Sequence, residues 1–295
     1  MNVDLFGQPV IEKTSLKAEF ILPPFSILDT ASGDWQNRKN RWKQLGIKSE
    51  VGRDATTYNY KEWADENVKE GHKLPSDISI FDPVLCELMY HWFVPEFGEI
   101  LDPFAGGSVR GIVANYLNFN YTGIDLRKRQ IDANIEQGKE ILPNMVNPNW
   151  LYGDSNEILD DLTGRFDFIF SCPPYYDLEV YSDHPRDISA MSKTQFDIIY
   201  EQIIDKSCRL LKDNRFACFV VGNCRDKKGY MMDLVGATIR AFEKSGARFY
   251  NDIVLKGANA SGSLRAAGNM KYRKIVKMHQ NVLVFCKGDP KKVME

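Results

Sequence analysis

The sequence predicts an α/β fold in which a mostly parallel sheet is wound on both faces by helices. Two patterns carry that expectation. Short apolar runs of strand length recur at 99–104, 121–125, 150–153, 166–170, 216–221, 249–255 and 281–285. Most are separated by stretches with helical spacing, at 83–94, 109–117, 127–142, 194–211 and 231–245. Parallel strands need crossover connections, and this alternation supplies them. Ligands of such doubly wound sheets sit outside the carboxyl ends of the strands, so the residues that follow each strand are where chemistry is expected.

Composition narrows the class. With 295 residues, 43% hydrophobic and 26% charged, the chain is long enough for one large core or a core plus a satellite, which argues against a disordered or fibrous protein. Its 38 basic and 40 acidic residues leave a formal charge of -2, so any attraction for nucleic acid must be local. Cys86, Cys172, Cys208, Cys218, Cys224 and Cys286 form no C-x-x-C pair or Cys/His cluster, so buried cytosolic thiols and no metal are expected. Residues 1–15 lack a charged start followed by an apolar run, and no apolar stretch approaches the roughly 20 residues that span a bilayer. The expectation is a soluble, cytoplasmic protein with no membrane partner. Near residue 76 the pattern changes: 1–75 carries scattered Pro, Gly and aromatics without a sustained period and reads as an irregular N-terminal arm or subdomain, whereas 76–295 is regular.

The strand ends are informative in order. The first runs into Asp102-Pro103-Phe104-Ala105-Gly106-Gly107-Ser108 and at once into a helix. Adjacent glycines permit close backbone approach to a ligand, or simply a tight turn; neither a Walker loop nor G-x-G-x-x-G is present. The second ends in Gly123-Ile124-Asp125-Leu126, where Asp125 can accept from a ribose diol, cap the next helix, or do both. The third ends in Tyr152-Gly153-Asp154-Ser155, where Asp154 can accept from an adenine amino group or cap a turn. The fourth ends in Ser171-Cys172-Pro173-Pro174-Tyr175-Tyr176-Asp177. Two prolines fix the backbone and remove two donors, leaving rigid carbonyls beside the flat face of Tyr175.

Together these four motifs resemble, in order and spacing, those of S-adenosylmethionine-dependent DNA amino-methyltransferases, the family acting on adenine N6 or cytosine N4. The likeness covers about 76–288, and His279-Gln280-Asn281-Val282-Leu283-Val284-Phe285 resembles that family's last strand. It implies a Rossmann-like, seven-stranded sheet whose last strand is antiparallel, with S-adenosylmethionine as cofactor, S-adenosylhomocysteine as product and no metal. It also implies that Phe81, Asp82, Asp102, Phe104, Gly106, Asp125 and Asp154 bind the cofactor, with Phe81 and Asp82 near its methionine end. Cys172, Pro173, Pro174 and Tyr175 then form the catalytic corner. Two departures stand out: Ser108 occupies the place of the second glycine in F-x-G-x-G, and Cys172 occupies the place usually held by Asp, Asn or Ser.

An exocyclic amine is a poor nucleophile because its lone pair is delocalised into the ring. Accepting hydrogen bonds from both amino hydrogens favours the pyramidal nitrogen of the transition state, and orientation supplies much of the rest. In this logic Pro173 offers its carbonyl and Tyr175 stacks on a base flipped from its duplex. Cys172 is a weak acceptor, so either the backbone and another group such as Ser171 or Asp177 compensate or activity is reduced; attack of the Cys172 thiolate on cytosine C6 is the lesser reading. Methylation of RNA and a catalytically silent nucleic-acid-binding fold are the alternatives.

Two basic stretches suit nucleic acid. Residues 256–279 hold Lys256, Arg265, Lys271, Arg273, Lys274 and Lys277 with no acidic residue, and their Gly, Ala and Ser content predicts a mobile loop. Residues 35–49 hold Arg38, Lys39, Arg41, Lys43 and Lys48. There Trp35 and Trp42, seven residues apart, either pack one helical face on the core or belong to an arm that grips the target. The polar stretch 178–193 follows the diproline motif and can order over the substrate; His184 within it reads as a loop residue rather than a general base.

Overall fold

The structure, a computed structural model, describes residues 15–48, 81–176, 180–257 and 260–293. In chain order the elements are α1 (Leu16–Phe20), β1 (Ile27–Asp29), α2 (Gly33–Gln44), α3 (Pro83–Phe93), β2 (Glu99–Asp102), α4 (Val109–Tyr116), β3 (Asn120–Asp125) and α5 (Lys128–Ile141). Then come β4 (Asn149–Tyr152), α6 (Ser155–Asp161), β5 (Phe166–Ser171), α7 (Lys193–Leu210), β6 (Leu211–Val221), β7 (Cys224–Arg225) and β8 (Met231–Met232). The chain continues through α8 (Leu234–Lys244), β9 (Ala247–Lys256), α9 (Ala260–Met270) and β10 (His279–Lys287). Among the described residues the main sheet has eight strands in the order β1-β9-β10-β6-β5-β2-β3-β4.

Side-chain alternation builds two cores, one on each face. From β6, Phe216, Cys218 and Val220 join the cluster under α2, α3, α4 and α5, while Ala217, Phe219 and Val221 join the cluster under α6, α7 and α8. The long run 194–211 becomes α7, opened by a capping box in which Ser192 and Gln195 satisfy each other's backbone N–H groups. β10 is antiparallel to both β6 and β9, and the other pairings in the sheet are parallel. The carboxyl ends of the parallel strands therefore share one edge with the start of β10.

The count of eight strands corrects the expected seven. The additional strand is β1, which pairs with β9 through Ile27↔Val254, Leu28↔Leu255 and Asp29↔Lys256. α2 is also built into the main body: Trp35 and Trp42 are buried, and their indole N–H groups donate to Asp82 (3.1 Å) and Glu87 (2.9 Å) beside α3. Trp92 of α3 donates to the Phe20 carbonyl at 2.9 Å, fixing the end of α1. The rest of 1–75, namely 1–14 and 49–75, lies outside the described residues.

Two local expectations change as well. The segment read as a mobile loop, 257–268, contains most of α9. Gly262 within it serves close approach: a Cβ there would fall 2.6 Å from Met278 Sδ. The helix expected from 231 starts at Leu234, capped by Asp233, because Met231–Met232 pairs with Cys224–Arg225 in a small hairpin.

Candidate active site

β2 delivers Asp102 into the interior, where its side chain is 0% exposed. Its Oδ2 accepts from Arg110 Nε (2.5 Å) and the Tyr121 hydroxyl (2.6 Å), and Oδ1 from the Ser171 hydroxyl (2.5 Å) and Phe104 N–H (3.2 Å). Arg110 also donates to the Phe104 and Ala105 carbonyls at 2.7 and 2.8 Å, and its guanidinium lies 4.5 Å from the centre of the Phe81 ring. Burial is the largest single influence and opposes the Arg110 charge, but the Asp102 carboxylate together with Tyr121 and Cys172 outweighs it and raises the pKa. Buried charges persist when they are paired and hydrogen-bonded, and this pair ties β2, β3, β5 and the glycine loop together.

That network engages three of the residues expected at the cofactor. Asp102 and Phe81 buttress the loop through Arg110. Asp82 caps α3 through Val84 N–H (3.0 Å) and receives Trp35 (3.1 Å) and Lys39 (2.7 Å), so its oxygens are engaged in holding α2 to α3. Sequence reasoning missed Arg110. Its signal was a lone cation in the otherwise uncharged helix VRGIVANY, following Asp102 by eight residues.

Gly106 has φ +53°, the left-handed region that disfavours a side chain. Its N–H donates to Asp125 Oδ2 at 2.9 Å and its carbonyl accepts from Asn134 at 2.8 Å, so the loop is pinned from both sides. Ser108 has φ -68°, needs no glycine, and points its hydroxyl to Gln137 at 2.8 Å. The departure from F-x-G-x-G is absorbed by this turn. Asp125 Oδ1 also accepts from Arg127 N–H at 2.8 Å, and Asp154 caps α6 through Asn156 N–H at 2.9 Å. The capping reading thus holds for Asp154, and the turn contact to Arg127 holds for Asp125.

Both carboxylates nevertheless face a common cleft. Phe104, Asp125, Asp154 and Pro174, brought by four strand ends, line it together with apolar walls that include Ile124, Leu126 and Ile188. The cleft is narrow, with about 80 Å³ of accessible space, and it opens to solvent. Part of the stretch after the diproline motif forms its rim: Tyr181 lies 5.5 Å from the Arg127 guanidinium, and Arg186 pairs with Glu157 and stands 3.9 Å from Asp154. The His184 ring accepts from Arg186 N–H at 3.2 Å, a loop-shaping contact. Apolar walls with two carboxylates suit a nucleoside, whose ring is flat and whose diol and amino group donate.

Beside the cleft, Pro173 is buried while Cys172 and Pro174 are half-buried, and the Cys172 thiol forms no disulfide. The Tyr175 hydroxyl accepts from Gln280 at 2.7 Å and reaches the Val220 carbonyl at 3.4 Å. Burial, with Cys172 adjacent, pushes its pKa well above the usual phenol range, so it stays neutral. A Cβ at Gly222 would lie 3.4 Å from the Tyr175 ring and 3.0 Å from the Lys277 ammonium, which reaches the Asn223 carbonyl at 3.4 Å. Desolvation lowers the Lys277 pKa. Gly222, Asn223 and Gln280 were not anticipated, although Gly222 and Asn223 directly follow β6 and obey the strand-end rule. Ser171 does not compensate for Cys172, because it is fully buried and committed to Asp102 and Phe104. Asp177 lies outside the described residues.

The basic residues divide. Arg38 makes two bonds to Glu87 at 2.7 and 3.0 Å and Lys39 is held by Asp82, so these two stabilise the α2–α3 contact. Lys256 pairs with Asp29 at 2.9 Å. Arg41, Lys271 and Arg273 are exposed, Arg265 and Lys274 are half-buried, and Lys277 stands at the corner itself. Among the described residues no group of three His, Cys, Asp or Glu side chains is placed to hold a metal, and no helix is long and apolar enough to cross a membrane.

No protein-family model matches the chain, and a search of curated proteins finds no match. Among solved structures it is similar to TrmN from Thermus thermophilus, at 14% identity and TM-score 0.47 over 70% of this chain and 49% of that one. The chain thus spans about half the length of that protein. It is also similar to magnesium protoporphyrin IX methyltransferase (ChlM) from Synechocystis PCC 6803 with bound SAM, at 10% identity and TM-score 0.46 over 84% and 90% of the two chains. A third is TehB from Haemophilus influenzae, at 13% identity and TM-score 0.44 over 72% and 64%.

Proposed function

We propose that the protein is an S-adenosylmethionine-dependent methyltransferase acting on an exocyclic amino group, adenine N6 or cytosine N4, of a nucleobase flipped out of DNA. One observation carries this reading: Phe104, Asp125, Asp154 and Pro174, from four separate strand ends, line one cleft with the diproline corner at its side. The sheet order sets those four ends side by side, and what they carry there is two carboxylates, an aromatic ring and a rigid proline.

When bound, the cofactor supplies an electrophilic methyl group on a sulfonium. Asp125 would hold the ribose diol and Asp154 the adenine amine, with Phe104 and the Gly106 loop closing the cofactor side. Pro173 and Cys172 would orient the target amine by accepting its hydrogens, and Tyr175, pinned by Gln280, would keep a rigid face beside the base. Phe81 and Asp102 would act at one remove, through the buttress under the loop, and Asp82 by fixing α2 to α3. Arg41, Arg265, Lys271, Arg273 and Lys274 remain candidates for phosphate contacts, and Lys277 for the base or its adjoining phosphate.

The test is transfer of labelled methyl from S-adenosylmethionine to DNA or to RNA, followed by digestion to nucleosides and mass identification. N6-methyladenosine or N4-methylcytidine in the deoxy series is expected. Label in the ribo series would assign RNA instead, and binding to nucleic acid with no transfer at excess enzyme would leave a silent fold. Asp125→Ala should abolish cofactor binding by calorimetry; unchanged affinity contradicts the assignment.

A further inference from the structure

The β7–β8 hairpin presents a surface that the diproline corner does not use. Asp226, at its turn, accepts from Lys228 N–H (3.0 Å) and Tyr230 N–H (2.8 Å), and Arg225 donates to the Gly229 carbonyl at 2.7 Å. The acidic side chain of the turn is thus spent on its own backbone, while Lys227 and Lys228 are exposed. Tyr230 is 73% exposed and Met231 beside it is 51% exposed.

The hairpin touches the segment after α9. A Cβ at Gly229 would fall 2.9 Å from Lys274 Cε, and the Lys274 ammonium lies 6.0 Å from the centre of the Tyr272 ring. Tyr272 and Ile275 are 78% and 77% exposed, with Lys271 and Arg273 alongside. The same two segments run back to the corner, since Gly222 and Asn223 lead into the hairpin and Lys277 approaches the Asn223 carbonyl. Cations interleaved with outward tyrosines suit a polyanion that carries flat rings. A protein partner would favour a drier patch depleted of lysine.

We propose that the hairpin and the 271–277 segment bind unpaired nucleotides adjoining the target base, with Tyr230 and Tyr272 stacking on bases and Lys227, Lys228 and Lys274 contacting phosphates. This rests on the reading of the corner as a nucleobase site and adds that the flank of the substrate is single-stranded or splayed. A paired flank hides its ring faces, so a stacking surface of this kind selects against it.

The test is fluorescence anisotropy of the full-length chain with a labelled short single-stranded oligonucleotide and with the matching duplex, over a salt series. Tyr230→Ala and Tyr272→Ala should each weaken single-strand binding about tenfold while Tyr→Phe at either site restores it, and duplex binding should change less. Lys227→Ala combined with Lys228→Ala should reduce the salt slope by about 1.4. Thermal melting of each variant confirms that the fold is kept. Unaltered single-strand binding by both tyrosine variants, or equal losses on single strand and duplex, overturns the surface. If wild-type protein still methylates a nucleic acid in that case, the methyl-transfer reading stands and the patch falls to another class of partner. Wild-type protein that transfers no label to any nucleic acid removes that reading, and the surface proposal with it.

Discussion

Replacing Arg110 with Met tests whether the glycine loop is held from beneath. The side chain makes three bonds, to Asp102, the Phe104 carbonyl and the Ala105 carbonyl. Its loss leaves Asp102, 0% exposed, with the Tyr121 and Ser171 hydroxyls and Phe104 N–H but no opposite charge. Breaking a buried ion pair from one side costs about 3–5 kcal/mol, and the two carbonyls left without this donor add about 1 kcal/mol each at most. A loss of about 3–7 kcal/mol is a large part of a typical total of about 5–15 kcal/mol. At roughly 2–4 °C per kcal/mol, the melting temperature should fall by roughly 6–28 °C. Urea unfolding followed by circular dichroism reads the loss directly. Adding Asp102→Asn to Arg110→Met should recover part of it, because the orphaned charge is then gone. A loss below about 1 kcal/mol, or a double variant no more stable than the single, would refute the buttress.

Two further outcomes follow from the site and the core. If Cys172 is an acceptor, Cys172→Ser should keep methyl transfer while Cys172→Ala lowers turnover about tenfold, the equivalent of one modest hydrogen bond; loss in both variants would instead favour a nucleophilic thiol. Burial raises the Cys86 and Cys218 pKa and pushes Cys208 up to about 12, so the folded protein keeps protons that the unfolded chain releases above about pH 9. Stability should therefore be full below pH 9 and fall as pH rises toward 12, by up to about 1.4 kcal/mol per thiol per pH unit. Urea midpoints under reducing conditions that stay level from pH 8 to pH 10.5 would contradict it.

Much of the sheet was legible because a strand facing two helical layers must be apolar throughout, and because Gly106 and the diproline pair punctuate strand ends in ways few other residues can. What escaped was chiefly pairing across the fold. Arg110 reads as solvent-facing until Asp102 is seen beneath it, and Arg38 and Lys39 read as a basic stripe until Glu87 and Asp82 are seen across from them. The spacing of Trp35 and Trp42 fitted a packed face and a gripping arm equally, and burial decided for packing. The β7–β8 hairpin was invisible because two-residue strands carry no period. Small residues at 257–268 signalled flexibility by composition, yet Gly262 is small because Met278 lies against it.

β9 is ten residues long, and without β1 it would be the outermost strand on its side of the sheet. β1 covers only the end nearest Lys256, through three register pairs. Toward Ala247 the margin carries Arg248 and Asp252, charges that discourage a second chain from adding on. The short leading strand is thus a stopper: stripped of it, Val254 and Leu255 would lie on an unpaired hydrogen-bonding rim, and the molecule would acquire a seed for edge-to-edge growth.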